Sequence, residues 1–77
     1  MYVDLKKFIL GIAEQKEIKL HSFTINAIDD AVRAAKNQKD VAVDDIMEML
    51  KKKDELKKGF GSNDWNAIEH QVEKMLK

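Results

Sequence analysis

The sequence has no cysteine, which rules out disulfides and suits a cytoplasmic protein. It has no proline and three glycines, too few for a fold made of many tight turns. The two histidines, His21 and His70, are far apart and make neither HExxH nor another zinc spacing, so they read as ordinary surface or boundary residues. No apolar run reaches transmembrane length, and no membrane association is expected. The short apolar stretch Phe8 to Ala13 follows Asp4, Lys6 and Lys7 and has no small-residue cleavage site before Glu14, so a signal peptide is not expected. Neither sign of charge is in excess: 14 basic residues stand against 14 acidic ones. That balance disfavours a generally basic nucleic-acid binder and an acidic nucleic-acid mimic alike, while local patches stay open.

What remains is a 77-residue chain, 36% charged and 44% hydrophobic. This is the composition of a single helical domain, 1-77, rather than of a disordered chain. Without disulfides or metal, so short a chain depends on regular helix packing, on self-association, or on both.

Hydrophobic spacing predicts four helices. The first runs from Val3 to about Glu17, with Leu5, Phe8, Ile9 and Ile12 at helical spacing and Leu10 off the stripe. Gly11 in its interior suggests close approach of a neighbouring helix. The segment Ile18 to Ser22 breaks the period and reads as a connection. The second helix, Phe23 to Asn37, is capped by Ser22 or Thr24, buries Ile25, Ile28, Val32 and Ala35, and pairs Asp29 with Arg33. After Gln38 to Ala42, where Asp40 is the candidate cap and Val41 a candidate staple, the third and longest helix spans Val43 to Phe60. Acids lead it and lysines end it, as the helix dipole favours, and Gly59 reads as a left-handed stop of Schellman type. The fourth, Asn63 to Leu76, has Ser62 as cap, a stripe of Trp65, Ile68, Val72, Met75 and Leu76, and a Glu73–Lys77 pair. The expected fold is an all-α four-helix bundle with short connections, helices 3 and 4 forming an antiparallel hairpin. Its core should include Leu5, Phe8, Ile9, Ile12, Ile25, Ile28, Val32, Ile46, Leu50, Trp65, Ile68 and Val72.

No catalytic constellation is present. The adjacent carboxylates Asp29–Asp30 and Asp44–Asp45 diverge by about 100° on a helix, poor geometry for shared acid–base work or a metal. GFGS at Gly59 to Ser62 follows a helix rather than a strand and lacks the lysine and hydroxyl of a phosphate loop. No enzyme and no cofactor are expected. A helix-turn-helix reading places polar and acidic residues where the recognition helix would meet phosphate, which argues against it.

Two surfaces are candidates for binding. Phe60 and Trp65, beside two glycines at the expected hairpin tip, have the character of aromatic anchors, and Met47 on the flank of helix 3 adds adaptable apolar surface. Lys51, Lys52, Lys53, Lys57 and Lys58 form a local positive end, interrupted by Asp54 and Glu55 and without arginine. The first favours a non-enzymatic protein-binding module, a cytoplasmic regulator, inhibitor or adaptor of bacterial or phage type. The second is the alternative, a nucleic-acid-binding accessory domain. A homodimer through Leu10 is a further form of partner. Two short patterns, KxxKL at Lys16 to Leu20 and KKKDELKKGF at Lys51 to Phe60, resemble the opening helical module of YqeY-type proteins. Helix 2 carries Thr24 in the region where that pattern has an arginine, so no family is assigned and no residue role is carried over.

Overall fold

The computed structural model describes residues 4–37 and 40–76. Val3, Gln38 and Lys77, which the sequence reading placed in helix 1, the second connection and a terminal ion pair, lie outside them. Among the described residues there are five helices and no strand: α1 Leu5–Gln15, α2 Ser22–Asn37, α3 Val43–Lys51, α4 Asp54–Gly59 and α5 Ser62–Leu76. None is long and apolar enough to cross a membrane.

The fifth helix arises because the expected helix 3 breaks at Lys52 and Lys53. Lys53 turns to an extended conformation, φ −88° and ψ 117°, and its carbonyl accepts from the amides of Leu56 and Lys57 to start α4. The reason lies in the periodicity. On one continuous helix Lys57 would sit at the centre of the Ile46–Leu50 stripe and Leu56 about 100° away from it. The break reverses this: Leu56 is fully buried and Lys57 is exposed, so a charged stem stays in water and an isobutyl group leaves it. The chain gives up its longest helix to correct one misplaced pair.

Helix ends are closed largely by side chains. Asp4 caps α1, accepting from the amides of Lys6 at 3.0 Å and Lys7 at 3.3 Å. Asp45, rather than Asp40, serves the start of α3 by accepting from the amide of Ala42 at 3.0 Å. Asp64 does the same for the amide of Gly61 ahead of α5 at 2.9 Å, so Gly61 rather than Ser62 holds the cap position there. No described glycine has a positive φ. Gly59 is the last residue of α4, where an added Cβ would stand 2.9 Å from Ile18 Cδ1, so close packing rather than a left-handed turn is what its size serves. The Schellman closure occurs at the end of α1: Glu17 adopts φ 58°, and the amide of Ile18 donates to the carbonyl of Ala13 at 2.8 Å. Among the described residues nothing lies within 4 Å of where a Cβ on Gly11 would be, so no neighbouring helix explains it.

The core is one cluster, and the radius of gyration is 11.5 Å. α5 packs against α1, α2 and α3, while α2 and α3 share the most extensive contact. Leu5, Ile9, Ile28, Ile46, Leu50, Leu56, Ile68 and Val72 are fully buried. Of the expected core, Phe8, Ile12 and Trp65 are only partly buried against this cluster, and Ile25 is half-exposed outside it. Ala13 on α1, Leu56, Phe60, Met47 and the α2 alanines Ala31, Ala34 and Ala35 complete it. Asp29 reaches across to Lys6 on α1 at 2.9 Å rather than along α2 to Arg33, and Lys16 at the end of α1 meets Asp64 at the start of α5, also at 2.9 Å. Glu73 faces His70 at 3.6 Å.

Candidate functional site

The start of α2 is built by a residue from elsewhere in the chain. The first amides of a helix have no partner within it. Here the amide of His21 donates to both carboxylate oxygens of Glu55, at 3.2 and 3.1 Å, and the hydroxyl of Thr24 donates to Oε1 of the same group. Among the described residues Thr24 is the one polar residue that is buried, and Glu55 is what satisfies it. The hydroxyl of Thr24, then the amide and charge of His21, hold the Glu55 carboxyl below its ordinary pKa against an opposing contribution from desolvation.

Between these two anchored positions lies Phe23. It is the only large hydrophobic residue exposed among the described residues, with 69% of its surface open. Its ring stacks on that of His21, centroids 5.0 Å apart and planes 13° apart, and its amide donates to His21 Nδ1 at 3.3 Å. An exposed aromatic ring stacked on one face and fixed at its backbone amide loses little freedom on binding, which is the property of an interface anchor.

The flank of α2 that carries Phe23 leads to a cleft. At about 100° per residue, Phe23, Ala27, Asp30 and Ala34 fall within about 60° of one another, a line down one side of the helix. Asp29, which faces α1 through Lys6, lies about 120° round from Phe23 by the same spacing. Ala34 opens into a cleft of about 600 Å³ between α2, the connection that follows it, and α3. Val41 and Met49 add its apolar lining, and Asp40, Asp45, Glu48 and Lys52 edge it. From Phe23 to Ala34 the line runs about 16 Å along the helix axis.

The residues singled out from the sequence lie elsewhere. Phe60 is 4% exposed and Met47 6%, so both belong to the core. Phe60 and Trp65 do meet, at 5.6 Å between ring centroids and tilted by 54°, but Trp65 is half-buried and Lys51 Nζ lies 5.4 Å from the centre of its ring. This corner is a packed joint between α4 and α5. The lysine cluster is divided by the bend: Lys51 and Lys52 are at the end of α3, Lys53 is half-buried at the turn, and Lys57 and Lys58 are exposed on α4. Of the histidines, His21 supports Phe23 and His70 is exposed on α5. Among the described residues, no three His, Asp or Glu side chains gather as a metal site.

Sequence reasoning missed Phe23 and Glu55. The signal for Phe23 was present: a large aromatic about 100° off the Thr24–Ile28 line has no place in that stripe. Glu55 gave no such signal, since its role depends on the bend before it. No family model, curated protein or solved structure matches this sequence.

Proposed function

We propose that this protein is a non-enzymatic protein-binding module, a small cytoplasmic regulator, inhibitor or adaptor, and that its binding face is the α2–α3 groove with Phe23 as its anchor. The observation that carries this reading is the exposure of Phe23, 69%, in a chain whose other large apolar side chains are wholly or partly covered among the described residues. A lone exposed apolar residue needs no explanation. One that is stacked, hydrogen-bonded at its own amide and on the same helix flank as a cleft lined by Ala34, Val41 and Met49 among charged residues calls for one. The buried positions of Phe60 and Met47 move the apolar anchor from the hairpin tip to the start of α2. α3 and α5 pack on each other, and we read them as the arms of the hairpin expected from the sequence, with α4 as its bent tip.

The test is capture from nuclease-treated lysate with the wild-type chain and with Phe23→Ser as baits. One protein retained by the wild type and lost with Phe23→Ser is the expected result. Capture that disappears on nuclease treatment, or that falls with charge reversal at Lys52, Lys57 and Lys58 and not with Phe23→Ser, would replace this reading with the nucleic-acid alternative.

A further inference from the structure

The groove carries a charge pattern that describes its occupant. The cleft's apolar lining is Ala34, Val41 and Met49, and helical spacing continues it along the same flank of α2 through Ala27 to the exposed Phe23, a narrow strip rather than a broad patch. Carboxylates border that strip on both helices. Asp30 lies on the α2 flank, Asp40 follows α2, and Asp45 and Glu48 stand on α3. Lys52 is the one cation among the cleft's described lining residues, and it lies at the far end of α3 from Asp45. An anionic or uniformly apolar occupant would leave these carboxylates facing like charge or losing water without a partner. A cationic edge beside an apolar stripe matches both features at once.

The size is also informative. The line from Phe23 to Ala34 is about 16 Å, or three turns of helix. Ala27 is half-buried and Ala34 almost wholly so, which leaves a shallow floor on which a second helix can settle, and the unbranched Met49 can adapt to its side chains. We infer that the groove binds a basic amphipathic helical segment of a partner protein. Its apolar residues lie on Phe23, Ala27 and Met49, and its lysines or arginines face Asp30, Asp40 and Glu48. Lys52 closes one end to further positive charge and so sets the direction in which the segment lies. This inference rests on the protein-binding reading above and adds the chemistry of the partner.

The experiment uses the full chain and two capped model peptides of about 14 residues, long enough to span about 20 Å as a helix. Both carry leucine at i, i+3, i+4, i+7 and i+11. One has lysine at the remaining positions and the other has glutamate. Amide chemical shifts of the protein are followed as each is added at about 0.15 M salt, where exposed charges beyond about 8 Å are screened. The expected result is that the lysine peptide shifts Phe23, Ala27, Asp30, Ala34, Glu48 and Met49 and binds at least about tenfold more tightly than its twin. The double change Asp30→Lys with Glu48→Lys should remove or invert that preference. If both peptides shift the groove equally, the groove stands and the basic partner falls. If neither shifts it, or the lysine peptide shifts other faces only, both readings fall. Groove shifts that grow with protein concentration alone would assign it to a second copy of this chain and overturn the inference.

Discussion

The carboxylate of Glu55 and the hydroxyl of Thr24, 31 residues apart in sequence, form the hydrogen bond that fastens α4 to the start of α2. Through the same carboxylate the amide of His21 is satisfied, and Phe23 is set between the two fixed positions. The bend at Lys53 and the exposed ring of Phe23 are thus parts of one arrangement. Without the bend, Glu55 would ride on a continuous α3 and the start of α2 would lack its partner.

This linkage predicts an acid response. Glu55 titrates below its ordinary value of 4.5, chiefly through the Thr24 hydroxyl, and Asp64 below its ordinary 3.8, chiefly through Lys16. A carboxyl whose pKa is depressed on folding contributes stability that is present above its unfolded value and lost as pH falls through its folded value. The thermal midpoint should therefore drop as pH falls below 4.5 and on through 3.8. Glu55→Gln combined with Asp64→Asn should lower the midpoint at neutral pH and flatten that drop. Parallel curves for the two proteins would show that these carboxylates do not carry the linkage.

Gly11 stands in the middle of α1 with open space where a side chain would begin. Alanine there costs no contact and removes the conformational entropy of glycine. Gly11→Ala should stabilise the chain by about 0.5–1 kcal/mol, measured by denaturant unfolding. Destabilisation would mean that a second molecule, rather than solvent, faces this position.

Glu17 holds the left-handed position that closes α1, at φ 58°. A side chain there crowds the following carbonyl by about 1 kcal/mol, and glycine does not. Glu17→Gly should raise stability by up to that amount, with Glu17→Asn between the two. A loss on Glu17→Gly would show that the side chain contributes more than its backbone strain.

Leu56 tests why the long helix breaks. It is fully buried although it belongs to a helix of six residues that packing alone can hold. Leu56→Ala should cost about 2–5 kcal/mol, as for other core leucines. Lys57→Ala, one residue on and exposed, should stay within about 0.5 kcal/mol of wild type. Equal effects at the two positions would return them to a single continuous helix.

These residues also mark how far the sequence could be read. The stripes of Leu5 and Ile9, Ile28 and Val32, Ile46 and Leu50, and Ile68 and Val72 each fit a helical period, and all eight are buried. Helices that obey one rule locally can be read locally. The bend could not, because Ile46, Leu50, Leu56 and Phe60 look compatible with one face until the positions of Lys53 and Lys57 are weighed against them. Phe60 and Met47 read as candidate binding residues, with core packing of Phe60 as the competing reading, because a loop between glycines and a flank position are usually exposed. Here the bend turns Phe60 inward, and α3 buries Met47 beside Ile46. Glu55 was hidden for a different reason: a cap supplied from 34 residues away leaves no pattern in either segment.

The central claim is that a partner protein lies along α2 and α3. It is tested most directly by amide hydrogen exchange on the complex with the captured partner. Phe23→Ser, which should change stability by no more than about 0.5 kcal/mol, serves as the control. The account predicts added protection on α2 between Phe23 and Ala34 and on α3 between Asp45 and Lys52, both absent with Phe23→Ser. Protection confined to α4 and the lysines at Lys57 and Lys58, with α2 unchanged, would contradict it.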